Sequence, residues 1–168
     1  MANPTMTLIG SVTVGSGGAS SINFTSIPST YTDFCLLTSF RSNRATNVDD
    51  IYITLNGSTS SFSNKYLQGN GSSAVSGSLA SYYGSCPATS GSTASTFSND
   101  LLYMPNYAGS AYKSFSGDTV MEYNGNPAYE ALNAGLWSNT AAITSLSLSM
   151  TGSFVQYSTA YLYGIKNA

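Results

Sequence analysis

The chain contains no histidine and very little charge: of 168 residues, five are Lys or Arg and seven are Asp or Glu, 7% in all. An average soluble domain is about 25% charged. Without histidine, the commonest general base, the commonest metal ligand and the near-neutral pH switch are all missing. Five scattered cations fall short of the phosphate contacts that nucleic-acid binding needs. No apolar run approaches the roughly 18 residues of a transmembrane helix. Met1-Ala2-Asn3-Pro4 has no basic segment followed by an apolar one, so no signal peptide is expected. Cysteine is scarce too. Cys35 and Cys86 read as free thiols, with pairing as the alternative.

Ser, Thr, Asn and Gly make up nearly half of the chain, so hydroxyls, amides and backbone must wet its surface. Disorder is countered by 13 Tyr, seven Phe and many Val, Ile and Leu, residues that disordered segments lack. The length suits one domain spanning 1–168, and a chain of this size buries roughly 68–70% of its unfolded surface without a metal or disulfide.

Period-two alternation dominates, which predicts strands over 7–14, 21–25, 31–41, 50–56, 101–104, 112–123, 143–150 and 154–165. In 31–41, Phe34, Leu36, Thr38 and Phe40 share one face, and Asp33, Cys35, Leu37 and Ser39 the other. Gly15-Ser16-Gly17-Gly18 is a turn, and Asn56-Gly57 and Asn124-Gly125 are hairpin signals. Residues 68–96 read as a flexible Ser/Gly-rich loop holding one weak strand. Segment 126–135 fits either a two-turn helix, with Asn126 as N-cap and Pro127 at N1, or a strand running into Trp137; the neighbouring pattern favours the strand. About eight or nine strands with little or no helix predict an all-β chain, an antiparallel β-sandwich of jelly-roll-like type. An immunoglobulin-like sandwich fits less well, because Trp137 follows both cysteines.

No catalytic constellation emerges. Gly71-Ser72-Ser73-Ala74-Val75 lacks the last Gly of a nucleophile elbow. Lys65 and Lys166 lie in no Ser-x-x-Lys spacing, and Ser63-Asn64-Lys65 reads as a solvated loop. Glycoside hydrolysis needs two opposed carboxylates. Among Asp33, Asp49, Asp50, Asp100, Asp118, Glu122 and Glu130, only Asp118 and Glu122 share a strand face, and Asp49-Asp50 reads as a turn. Asn47, Asp49 and Asp50 form at most a fragment of a calcium loop. The expectation is therefore no enzyme, no cofactor and no metal.

Tyrosine is the positive feature. Buried Tyr prefers one wet end, and Tyr is enriched at interfaces. Sandwich packing with hydroxyls at the rim is the plainer reading of the many tyrosines. The sharper one selects Tyr82, Tyr83, Tyr107 and Tyr112, with the single Trp137, as a protein or glycan contact surface, although Trp137 reads more plainly as a core plug than as a sugar platform.

Several stretches carry a likeness: Val12 to Ile22 through Gly15-Ser16-Gly17-Gly18, Phe24-Thr25-Ser26-Ile27-Pro28, Tyr66-Leu67-Gln68-Gly69-Asn70-Gly71, Met104-Pro105-Asn106-Tyr107-Ala108-Gly109, Gly135-Leu136-Trp137-Ser138-Asn139 and Tyr161-Leu162-Tyr163-Gly164-Ile165. Across nearly its whole length the chain resembles small virion structural proteins of tailed bacteriophages of aquatic bacteria. The resemblance implies one of two roles: a capsid decoration (cement) protein on the outer surface of the head, or a tail-fibre or receptor-binding module that recognises host glycan. It brings no catalytic residues. It implies as partners the major capsid protein and copies of the chain itself, in a trimer, with synthesis in the host cytoplasm and no nucleic acid or membrane bound. The absence of a heptad, collagen-like or polar shaft segment favours the head.

Overall fold

The computed structural model describes residues 5–80, 87–125 and 128–166. Eleven strands, with no helix among the described residues, run β1 (Met6–Thr13), β2 (Ala19–Phe24), β3 (Asp33–Phe40), β4 (Ile51–Leu55), β5 (Phe62–Gly69), β6 (Ala74–Leu79), β7 (Ser98–Met104), β8 (Lys113–Met121), β9 (Tyr129–Trp137), β10 (Leu146–Phe154) and β11 (Thr159–Ile165). They form two antiparallel sheets: eight strands in the order β1-β11-β3-β7-β8-β9-β5-β6, and three in the order β2-β10-β4. The antiparallel sandwich expected from the alternation is thus the fold, with more strands than the eight or nine anticipated. The split of eight against three is uneven, whereas a jelly roll spreads eight strands over two sheets.

The core lies between the sheets. Ile22 and Phe24 of β2, Ile51, Ile53 and Leu55 of β4, and Leu146, Leu148 and Met150 of β10 meet Phe34, Leu36 and Phe40 of β3, Leu102 and Met104 of β7, and Leu162 of β11. Each set recurs every second residue, as one face of a pleated strand must. Rings interlock within the core: Phe40 meets Phe154 edge-on at 4.7 Å, and Phe34 tilts against Tyr107 at 5.2 Å.

Two segments depart from the sequence reading. Ser63-Asn64-Lys65, expected as a solvated loop, lies inside β5, which pairs with both β9 and β6. Its inward row includes buried Asn64, so the polar residue hid the strand's alternation. The weak strand expected within 68–96 is β6, the hairpin partner of β5 around Asn70 to Ser73; residues 81–86 lie outside the described set. Segment 129–137 is a strand, because Ala131, Asn133, Gly135 and Trp137 are buried while Glu130, Leu132 and Ala134 are exposed. Asn126 and Pro127, the start of the helical reading, lie outside the described residues.

Asn56-Gly57 does make a tight turn, with φ of 51° and 75° and a Ser58 N–H···O=C Leu55 bond of 2.9 Å. It does not produce a hairpin with β5, which joins the other sheet. The Asn56 side chain explains the departure. Its Nδ2 donates to Ala142 O, and its Oδ1 accepts the N–H groups of Thr144 and Ser145, fastening the turn to the approach to β10.

Candidate interaction surface

On the eight-stranded sheet, residues alternate between the core-facing side and an outer side turned away from β2-β10-β4. Pairing register aligns the outer residues in rows across the strands. One row reads Tyr161, Leu37, Leu101, Asp118, Leu132 and Leu67 on β11, β3, β7, β8, β9 and β5. At roughly 4.8 Å per strand the row is about 24 Å long. Leu132 is 56% exposed, Leu67 53% and Leu101 39%. Five of the six side chains are apolar or aromatic, and the only charge is Asp118 in the middle.

The adjacent row reads Tyr163, Cys35, Tyr103, Ser116, Ala134 and Lys65. It is held in place by hydrogen bonds. Tyr103 Oη donates to Asp33 Oδ2 at 2.7 Å, and Asn106 N–H donates to Asp33 Oδ1 at 2.8 Å. The bond to Asp33 raises the Tyr103 phenol above its ordinary pKa, helped by burial and by the carboxylate's charge. Lys65 Nζ donates to Ser78 Oγ at 2.5 Å. Cys35 is a free thiol at 6% exposure, and burial pushes its pKa up, which lowers its reactivity as a nucleophile.

Of the five residues selected from sequence, the three described ones do not share a surface. Tyr107 is fully buried, with its hydroxyl donating to Pro28 O, and burial raises its pKa. Trp137 is 1% exposed and stacks on Phe62 at 6.2 Å. Neither side chain lies at the surface, because both belong to the core cluster, Tyr107 against Phe34 and Trp137 against Phe62. Tyr112 is 60% exposed, in the loop that enters β8. Tyr82 and Tyr83 lie outside the described residues. The residues that do share an open face, Leu37, Leu67, Leu101, Leu132 and Tyr161, escaped the reading because single exposed Leu side chains are ordinary. The available signal was a strand apolar on both faces, as Leu36 and Leu37 are in β3.

The charged groups considered for chemistry mostly serve the fold. Asp100, 5% exposed, accepts hydrogen bonds from Thr38 Oγ1 at 2.7 Å and Thr119 Oγ1 at 2.8 Å. Asp49, wholly buried, accepts from Ser42 Oγ, Gly152 N–H, Asp50 N–H and Arg44. Its oxygens are thus turned onto donors of the protein. Lys113 is buried, and its Nζ donates to Gly109 O at 2.6 Å and to Ala111 O; burial lowers its pKa. Arg41 donates to the carbonyls of Ser92, Thr93 and Thr96, pinning the loop before β7. Asp118 lies on the outer face of β8, and Glu122, just past the strand's end, accepts the Asn124 N–H at 2.5 Å. Among the described residues, no three of His, Cys, Asp and Glu gather as a metal-binding group. No protein-family model matches this chain, and no curated protein matches its sequence.

Proposed function

We propose that this chain is a non-enzymatic structural protein of a tailed-phage virion, a capsid decoration protein that attaches across adjacent capsid subunits through the outer face of its eight-stranded sheet. The observation that carries the reading is the row Tyr161-Leu37-Leu101-Asp118-Leu132-Leu67, apolar side chains on a broad, rigid sheet face that no described strand covers. The sequence resemblance supplies the virion context. A residue such as Leu132 or Leu67, about half exposed, has roughly 1 kcal/mol of further apolar burial to contribute on docking. Asp118 adds selectivity. A carboxylate enclosed in such a face needs a donor opposite it, so the capsid site should offer an Arg, a Lys or backbone N–H groups there. Several such contacts per copy, repeated over the head, would resist internal genome pressure.

Electron microscopy of virions assembled without this protein tests the reading. The expected result is loss of density from the outer surface of the head, with a head that opens at lower temperature. A fully decorated, equally stable head, or loss of a tail component instead, would sink it. A glycan array with purified protein should stay silent, since the proposed contact face is an apolar sheet row and two of the candidate stacking rings, Tyr107 and Trp137, are buried.

A further inference from the structure

Sheet edges offer unpaired backbone groups, and folded proteins usually guard them with charge, proline, bulges or short length. The eight-stranded sheet has two such edges, β1 and β6. β1 carries an irregularity between Leu8 and Gly10. The edge strands of the small sheet are also protected. β4 is five residues long and none of them is fully exposed, and β2 pairs with β10 through a shifted register. β6, six residues long, has no charge, proline or bulge, and no described strand pairs with its outer side. Its sequence, Ala74-Val75-Ser76-Gly77-Ser78-Leu79, holds no charge and no proline, and its pairing with β5 is unbroken from Asn64↔Leu79 to Gly69↔Ala74. Ala74, Val75, Ser76 and Ser78 are exposed.

The hydrogen-bond phase of β6 follows from its hairpin. Asn70 N–H donates to Ser73 O at 3.2 Å, closing the turn. Antiparallel alternation then directs the backbone groups of Val75, Gly77 and Leu79 toward β5, and those of Ala74, Ser76 and Ser78 outward. Tyr66 folds over Gly77 so closely that a Cβ there would lie 2.6 Å from its hydroxyl. The glycine lets the ring lie flat on the strand and leaves the edge straight.

We propose that β6 pairs edge to edge with β6 of a second copy of this chain, antiparallel about a two-fold axis through Gly77. In that register Ser76 of each copy faces Ser78 of the other, using the outward groups of both in about four backbone hydrogen bonds. Val75 of each copy lies against Leu79 of the other on the same sheet face. The self-complementarity argues for a second copy over an unrelated strand: both large apolar residues of β6 find each other, and no like charges meet at the seam. Lys65, the nearest charge, is already drawn back to Ser78 of its own chain. The seam is small against the roughly 1,200 Å² of a stable interface, so the pair is weak, half-associated at about 0.1–1 mM. Crowding of copies on a lattice raises the effective concentration to that range. The pairing is a property of the chain in solution and stands or falls apart from the virion reading.

Sedimentation velocity across concentrations, with amide exchange followed by NMR, tests it. Expected are dimers that grow with concentration, and new protection at the Ser76 and Ser78 amides. Ser76→Pro removes an outward N–H and no bond to β5, so the monomer keeps its Tm while association weakens about tenfold or more. Val75→Lys, placing a charge at the seam, does the same and serves if the proline disturbs folding. A chain still monomeric at about 1 mM, protection confined to another edge such as β1, or both variants associating like the wild type would each overturn the proposal.

Discussion

Asp49 is the residue whose loss should cost the fold most for its size. Its carboxylate is wholly buried where the two sheets are tied together. Oδ2 accepts from Ser42 Oγ at 2.5 Å and from Gly152 N–H of β10 at 2.9 Å, while Oδ1 accepts from Asp50 N–H at 2.8 Å and from Arg44 at 3.3 Å. Ser42 itself bridges to Phe154, so these bonds fasten the extension of β3 to β10 and to the start of β4. Hydrogen bonds to a buried charge contribute about 1.5–3 kcal/mol each, while the half-exposed Arg44 ion pair contributes about 0.5 kcal/mol. Asp49→Ala strands the Ser42, Gly152 and Asp50 donors and should destabilise by about 3–5 kcal/mol, lowering Tm by roughly 6–20 °C for a chain of this length. Asp49→Asn, which keeps one acceptor oxygen, should lose about 1–3 kcal/mol. Burial alone would raise the Asp49 pKa, but the Ser42 hydroxyl, the two backbone N–H groups and Arg44 outweigh it and hold the pKa below the ordinary value. A carboxyl group lowered in the folded state stabilises above its unfolded pKa of about 3.9, and that contribution disappears as pH falls through the folded value. Asp50 has the opposite slope, because burial and the Asp49 charge raise it. The decisive quantity is therefore the wild-type minus Asp49→Asn difference in urea-unfolding stability between pH 7 and pH 2. It should shrink on acidification. An Asp49→Ala loss below about 1 kcal/mol, or a difference independent of pH, would refute the reasoning.

Other consequences can be measured on the same material. Gly152→Ala places a Cβ 2.5 Å from Ser42 Oγ and 3.0 Å from Asp49 Oδ2, so it should cost about 1–3 kcal/mol and combine with Asp49→Ala less than additively in a double-mutant cycle. Tyr107→Phe removes the bond to Pro28 O, for a loss of about 1–3 kcal/mol near neutrality. Burial raises the Tyr107 pKa, so its contribution holds below about pH 10 and is lost as pH rises through the folded value; the variant should lose less stability on alkalinisation than the wild type. Trp137, the only tryptophan, should emit at short wavelength and resist iodide quenching until unfolding, and easy quenching in the native protein would contradict its burial. Attachment to capsids should change little with ionic strength, since Asp118 is the only charge in the apolar row, and should weaken strongly in Leu67→Asp with Leu132→Asp. Release by salt alone would count against the proposed face.

Legibility in the sequence varied with how openly each strand alternates. β10, with Leu146, Leu148 and Met150 facing the core and serines opposite, was plain. So was β3, whose Phe34, Leu36, Thr38 and Phe40 share one face in the sequence pattern, the face that the structure turns to the core. β5 was not, because its inward positions include Asn64 and its outward ones Leu67, which inverts the usual contrast. The candidate surface was hidden for a related reason. Leu67 and Leu132 are neighbours only through the β5–β9 pairing, and Leu101 and Leu37 only through β7–β3. For Trp137 and Tyr107 the plainer core reading holds, and the contact reading stayed open beside it because an aromatic ring in a polar stretch looks the same in sequence whether it caps a core or greets a partner.

The sequence alone determined the class of fold, since period-two alternation punctuated by Gly, Asn and Pro is compatible with little else, and it determined the scarcity of charge. Tertiary structure decided what that scarcity serves. Strand order put the leucines of four distant segments, with Tyr161 of a fifth, on one sheet face with Asp118 among them, and it turned the buried acids Asp33, Asp49 and Asp100 onto hydroxyl and N–H donors of the fold itself. The physical reason is that alternation is local, set by the two-residue repeat of a single strand, whereas rows across a sheet depend on pairing between residues as far apart in the chain as Leu37 and Tyr161, which no local pattern encodes.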